Sequence, residues 1–139
     1  LKFCVLKDQP LLVIEDDAIF NNDISIDFLD DSIKILNSTC GFLDLIGQPV
    51  AIKQGYSRPS HLISVVSLPV AMTNTTCAYV IHPNLAKTLC ERFFPYSLPI
   101  DFHLQYLFCK LGLKGLTVTR PVFKNGTSIG KLASSVQIQ

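Results

Sequence analysis

The sequence of 139 residues contains no tryptophan, and none of its apolar stretches approaches the roughly 20 residues that a membrane-spanning helix requires. Its 12 basic residues are never adjacent to one another, and the formal net charge is only +1. A surface that binds nucleic acid or an anionic membrane needs clustered positive charge. The sequence therefore predicts no nucleic-acid partner and no transmembrane segment.

Closely spaced cysteine pairs are also absent. The sequence contains no C-x-x-C pair, although it has five cysteines: Cys4, Cys40, Cys77, Cys90 and Cys109. Paired spacing is typical of structural zinc sites, so a site of that kind is not expected. We predict instead that these residues are reduced thiols that pack as small hydrophobic side chains.

The composition is that of a globular domain, with 48% hydrophobic and 17% charged residues. We assign residues 1–130 to this domain and residues 131–139 to a polar tail. The chain begins at Leu1, shortly before its first strongly apolar segment. We therefore expect an incomplete domain, truncated at its N-terminus.

The hydrophobic pattern predicts an α/β fold with a mixed sheet flanked by helices. "PLLVIE" is a continuous apolar run, typical of a central strand that is buried on both faces. The elements that follow are a helix over 24–37, a strand over 41–47, a long loop over 48–61 that contains His61, strands over 62–68 and 75–81, helices over 82–94 and 100–112, and a strand over 115–123. Pro83 favours a helix start and Gly112 a helix end.

Three consecutive acids, Glu15, Asp16 and Asp17, follow the first apolar run. In an extended backbone Glu15 and Asp17 point to one side and Asp16 to the other. Ligands of α/β sheets bind at the carboxyl ends of strands, and paired carboxylates there suit Mg²⁺ or Mn²⁺. The alternative is that one acid caps the following helix and the others are solvated.

Several motifs in order resemble glycosyltransferase family 25, the sugar transferases of lipooligosaccharide (lipopolysaccharide) biosynthesis and of collagen galactosylation. The matching segments are "LLVIEDDAIF", "GFLDLIG", "TTCAYVIHPNLAKTL" with Tyr79, Pro83 and Ala86, "LPIDFHL" with Asp101, and "NGTSIG". They span residues 11 to 130. The family's first strand, its donor-nucleotide loop and its Gly-Cys-x-x-Ser-His segment have no counterpart in this sequence.

The resemblance implies a GT-A-like, Rossmann-like fold and inverting transfer of a hexose from a nucleotide-sugar donor to a saccharide or glycan acceptor. A UDP-sugar is the donor it suggests, and galactose is the family's commonest hexose. It places Mn²⁺ or Mg²⁺ on Glu15 and Asp17, and the ribose or sugar of the donor near Asp16. It makes Asp101 the catalytic base or an acceptor-binding carboxylate; the alternative for Asp101 is a helix N-cap.

Two other functions remain open from the sequence. "LLVIEDD" also matches the first strand of a phosphoacceptor receiver domain of two-component signalling, in which Asp44 would be the phosphorylated residue. That match is weak beyond the first strand, because Arg120-Pro121 stands where a receiver has Lys-Pro. The second alternative is a glycosyltransferase remnant that binds a metal or a partner without catalysing transfer.

Overall fold

The structure is a computed structural model that describes residues 1–39, 41–47, 65–68, 76–92, 95, 98–113 and 115–130. The predicted loop over 48–61, with His61, and the predicted tail over 131–139 lie outside the described residues. Within the described ranges, every helix falls short of the length and apolar content that crossing a membrane would require.

The described residues alternate between helices and short strands. The helices are α1 (Lys2–Lys7), α2 (Ile26–Thr39), α3 (Pro83–Arg92) and α4 (Ile100–Leu111). The strands are β1 (Leu11–Ile14), β2 (Ala18–Phe20), β3 (Phe42–Asp44), β4 (Val65–Leu68), β5 (Ala78–Ile81), β6 (Gly115–Val118) and β7 (Phe123–Asn125).

Five of the strands form one mixed sheet in the order β1-β5-β3-β6-β4. β3 and β6 run parallel, and the other neighbouring pairs are antiparallel. β2 and β7 form a separate two-stranded antiparallel sheet. The prediction of an α/β fold with a mixed sheet and flanking helices is confirmed.

Helices cover both faces of the central strands, because alternate side chains of a strand point to opposite faces. Phe42 and Tyr79 face a core shared with α1, α3 and α4, where their rings stack with centroids 5.1 Å apart. Leu43 and Val80 face the opposite core, against which α2 packs. The sheet is therefore the middle layer of three.

The predicted position of β1 is wrong. The sequence predicts a central strand buried on both faces, but β1 lies at one end of the strand order, and Leu12 and Ile14 are 38% and 47% exposed. The Glu15 N–H donates to the Cys77 carbonyl at 2.8 Å, so the backbone groups of Leu12 and Ile14 face away from β5. An apolar run indicates that its side chains pack in a core. It does not indicate how many strands lie beside it.

Local helix signals are confirmed. Pro83 is the first residue of α3, and the Asn84 N–H donates to Nδ1 of His82 at 3.3 Å, which satisfies one free donor of the first turn. Gly112 ends α4 with φ of 62°, a left-handed conformation that costs glycine little. A side chain at Gly41 would overlap Leu85, so glycine there permits β3 and α3 to approach.

The single strand predicted over 115–123 is a second error. The chain forms β6, bends at Thr119 and Arg120, and then forms β7 in the other sheet. Pro121 has no N–H to continue the strand ladder, and beyond it the Val122 N–H donates to the Leu45 carbonyl. This bend brings residues 123–130 to the acidic segment.

Candidate metal and donor site

The three acids occupy a turn rather than the end of the strand. β1 ends at Ile14, and the Ala18 N–H donates to the Glu15 carbonyl at 3.2 Å, which closes a four-residue turn before β2 begins. The extended backbone assumed from the sequence therefore does not continue through Asp16. The turn still directs Glu15 and Asp17 to a common point.

Glu15, Asp17 and Cys77 form a cluster in which one ligand atom of each lies within 4.8 Å of the others. The Thr76 hydroxyl donates to Oε1 of Glu15. The Cys77 thiol donates to Oδ1 of Asp17 at 3.8 Å. Both donors lie immediately before β5, the antiparallel neighbour of β1. We call Glu15, Asp17 and Cys77 the acidic cluster.

The segment that begins with β7 holds the acidic turn from its other side. The Gly126 N–H donates to the Asp17 carbonyl at 2.7 Å, and the neighbouring Asn125 side chain acts to lower the pKa of the Cys77 thiol. Oδ1 of Asn125 also accepts the Ser128 N–H at 2.7 Å. The turn is thus held by Thr76 and Cys77, just before β5, and by Gly126, just after β7, all of which are distant from it in sequence.

Among the described residues, no lysine or arginine pairs with the negative charge of the acidic cluster. In the part of the chain that the structure describes, the only salt bridges join Lys34 to Asp30 and Asp31 on α2. Burial, followed by the charges of Asp17 and Glu15, raises the pKa of Cys77 to about 12. The thiol is therefore protonated at neutral pH, and its proton serves as the hydrogen-bond donor to Asp17.

The cluster lies on the face of the sheet that α3 and α4 cover. Val13 and Tyr79 are paired across β1 and β5 and belong to the core on that side. Glu15 and Cys77 are each two positions from this pair, so their side chains share its face. The charge of Glu15 adds to burial in raising the pKa of Tyr79.

The donor set fits a divalent cation. Two half-buried carboxylates are hard oxygen ligands of the kind that Mg²⁺ and Mn²⁺ take, and these ions complete their coordination with water and phosphate oxygens. Cys77 is a softer third donor, and it would lose its proton on coordination, because a bound cation deprotonates a thiol. A divalent cation at this position would therefore be held by Glu15 and Asp17, with the Cys77 sulfur beside them.

The other two predicted site residues lie apart from this cluster. Asp16 is exposed on the turn. Asp101 is half-buried near the start of α4, and its Oδ1 accepts the Phe102 N–H at 3.0 Å. Pro99 is the N-cap of that helix, so the alternative assignment of Asp101 as the N-cap is wrong. The contacts found among the described residues do not join Asp16 or Asp101 to Glu15 or Asp17.

Asp44, the residue that a receiver domain would phosphorylate, is a structural carboxylate in β3. It is 1% exposed, its Oδ2 accepts the Thr117 hydroxyl at 2.7 Å, and its Oδ1 accepts the Ile46 N–H at 3.0 Å. A phosphodonor needs access to a carboxylate oxygen, and both oxygens face the interior. The geometry therefore gives no support to the receiver alternative.

The sequence did not identify the residues that surround the two acids. Cys77 was predicted to be a small buried hydrophobe, and it is buried, but its thiol contacts Asp17. Thr76 was not singled out, and Asn125 was included as part of the resembling segment "NGTSIG" and not as a neighbour of the acids. Thr76 and Cys77 lie near the start of the strand predicted over 75–81. Their proximity to the acids follows only when the pairing of that strand with β1 is known. The four described cysteines, Cys4, Cys77, Cys90 and Cys109, are free thiols.

Comparison with known proteins adds no relative to this description. No family model, no curated protein and no solved structure matches the chain. The glycosyltransferase hypothesis accordingly depends on the sequence motifs and on the geometry of the acidic cluster.

Proposed function

We propose that the chain is a metal-assisted glycosyltransferase domain that binds a nucleotide-sugar donor at the acidic turn. Glu15 and Asp17 hold Mn²⁺ or Mg²⁺, and the donor is a UDP-sugar that gives its hexose, with galactose as the first candidate, to a saccharide or glycan acceptor. When bound, the cation supplies Lewis-acid stabilisation of the departing nucleoside diphosphate.

One observation carries this proposal: two carboxylates and a thiol converge within 4.8 Å, with no lysine or arginine paired to them among the described residues. Like charges at such short separation repel each other, and partial burial makes the repulsion stronger. A divalent cation removes that repulsion. The hydrogen bonds from Thr76 and Cys77 orient the carboxylates but add no positive charge.

The fold supports the same proposal. A mixed sheet between helical layers agrees with the GT-A-like fold that the resemblance implies, although β1 is an end strand and not the central strand that the sequence predicts. "NGTSIG", one of the resembling segments, contacts the acidic turn through the Gly126 N–H, which donates to the Asp17 carbonyl. Two of the resembling motifs, more than a hundred residues apart in sequence, are thus in contact.

Asp101 is assigned as the base that takes the proton from the acceptor hydroxyl. It is the second residue of α4, where the helix dipole stabilises the ionised form of a carboxylate. α4 packs on the face of the sheet to which Glu15 points, so Asp101 belongs to an element on the correct side. Asp16, exposed on the turn, is assigned to the ribose or sugar of the donor.

The test is Mn²⁺-dependent hydrolysis of a panel of UDP-sugars by the full chain and by Asp17→Asn. We expect release of UDP from at least one donor by the native protein, loss of that release with EDTA, and loss in Asp17→Asn. Asp27→Asn on α2 is the matched control, since Asp27 is an exposed acid on another element and its loss should leave the rate unchanged.

Two results would oppose the proposal in different ways. UDP release that is equal in Asp17→Asn and the native chain would remove the acidic cluster from the reaction. Tight Mn²⁺ binding with no UDP release from any donor would favour the remnant alternative, in which the site binds metal and does not catalyse transfer.

A further inference from the structure

A concave site that shares no described lining residue with the acidic cluster lies beside α4. It is a cavity of about 390 Å³, within the size range of ligand pockets, between the end of α3 and one face of α4. Its lining residues among those described are Arg92, Pro95, Leu98, His103, Tyr106, Leu107 and Lys110. We call it the α3–α4 cavity.

The α4 side of the cavity follows from helical periodicity. His103, Tyr106, Leu107 and Lys110 are spaced i, i+3, i+4 and i+7, so they share one helix face. Asp101 precedes His103 by two residues and is rotated from it by about 160° around the helix. The cavity is therefore separate from the carboxylate that we assign to catalysis.

The charged side chains among the described lining residues are all cationic. Arg92 and Lys110 contribute guanidinium and ammonium groups, and the lining residues that the structure describes include no carboxylate. Both cations are exposed, and neither forms a salt bridge within the described part of the chain. Their charge is consequently available to a ligand.

The remaining walls suit an organic ligand rather than a bare ion. Leu107 and His103 form a buried floor, with exposed fractions of 3% and 4%. The Tyr106 ring is half exposed, and the Lys110 ammonium lies 5.4 Å from its centroid. An aromatic ring beside cationic donors offers stacking for a sugar ring and hydrogen bonds for an anionic substituent on it.

We propose that the α3–α4 cavity binds an anionic saccharide, with Arg92 and Lys110 holding its phosphate or carboxylate group and Tyr106 contacting its ring. Arg92 presents a planar fork that matches two oxygens of such a group, and Lys110 adds a point charge. Binding here requires neither a metal at Glu15 and Asp17 nor transfer of a hexose, so the inference stands apart from the proposed function.

The test is an NMR titration of the ¹⁵N-labelled chain at constant ionic strength, with glucose 6-phosphate, glucuronate and neutral glucose as separate probes. We expect saturable shifts of the Tyr106 and Lys110 amide signals with the two anionic sugars, and weaker binding of glucose by roughly tenfold or more. Tighter binding of glucose 6-phosphate identifies the group as a phosphate, and tighter binding of glucuronate identifies it as a carboxylate.

Variants that each remove one positive charge test whether the anionic sugar binds in the α3–α4 cavity. Arg92→Gln and Lys110→Gln should each weaken binding of the preferred anion by roughly tenfold, the effect expected for one charged hydrogen bond. Lys87→Gln is the matched control, because Lys87 is an exposed cation on α3 that does not line this cavity. Shifts that fail to saturate, equal affinity for glucose, or equal weakening in Lys87→Gln would overturn the proposal.

Discussion

The Cys77 thiol lies 3.8 Å from Oδ1 of Asp17 and donates its proton to that carboxylate. The two residues are 60 positions apart and meet because β5 pairs antiparallel with β1. The Gly126 N–H, just beyond β7, donates to the Asp17 carbonyl of the same turn. The acidic turn is therefore assembled from three separate segments, and the contact between Cys77 and Asp17 forms only when they come together.

Because of Cys77, we expect the free energy of unfolding to fall at alkaline pH. Its pKa is raised from 9.0 to about 12 by burial and by Asp17 and Glu15, so the folded state holds this proton more tightly than the unfolded state. The resulting stabilisation is complete below pH 9 and is lost as the pH rises through 12. We expect the free energy of unfolding, measured by urea denaturation, to fall more steeply above pH 9 in the native chain than in Cys77→Ser.

Cys109→Ser is the control for this measurement, because Cys109 is also a free thiol but is exposed. Its pH profile should follow that of the native chain. Identical alkaline profiles for Cys77→Ser and the native chain would show that the Cys77 proton is not bound more tightly in the folded state.

The buried pair of Thr117 and Asp44 links two parallel strands of the central sheet. Thr117→Val keeps the shape of the side chain but removes the hydroxyl that donates to Asp44 Oδ2 at 2.7 Å. We expect a loss of roughly 1–3 kcal/mol in the free energy of unfolding, since a buried carboxylate loses a donor. Thr119→Val, at a half-buried position two residues later, should change stability by no more than about 0.5 kcal/mol. Equal effects of the two variants would contradict this account of Asp44.

Asp101→Asn tests the catalytic role of Asp101 while keeping its hydrogen bond at the start of α4. The amide keeps an oxygen that accepts the Phe102 N–H but cannot act as a base at neutral pH. We expect turnover of donor and acceptor to fall by roughly a hundredfold or more, with the KM for the donor nearly unchanged. Circular dichroism should show an unaltered fold. Native turnover in Asp101→Asn would remove this residue from the mechanism.

The elements that depend on local sequence were predicted well. α2 matches its apolar spacing, α3 begins at Pro83 and α4 ends before Gly112, because caps and periodicity are encoded within a few residues. The position of β1 in the sheet was predicted wrongly, since the neighbours of a strand are set by contacts between distant segments. The pairing of β2 with β7 was missed for the same reason.

The acidic cluster was predicted in part. Glu15 and Asp17 were expected to converge, and they do, although a turn rather than an extended strand brings them together. Cys77 was missed because its contact with Asp17 depends on the register between β1 and β5, in which Val13 is paired with Tyr79. Composition and spacing carry no information on that register.

The proposed function depends above all on a divalent cation at the acidic turn, and the most direct measurement is Mn²⁺ binding followed by the EPR signal of the free ion. We expect the native chain and Asp27→Asn to bind one Mn²⁺ with equal affinity, and Glu15→Gln and Asp17→Asn to lose that binding. Added Mn²⁺ should also raise the unfolding temperature of the native chain, because a ligand that binds only the folded state stabilises it. A free-ion signal that the native chain leaves undiminished, or that Asp17→Asn diminishes as much as the native chain does, would contradict the central claim.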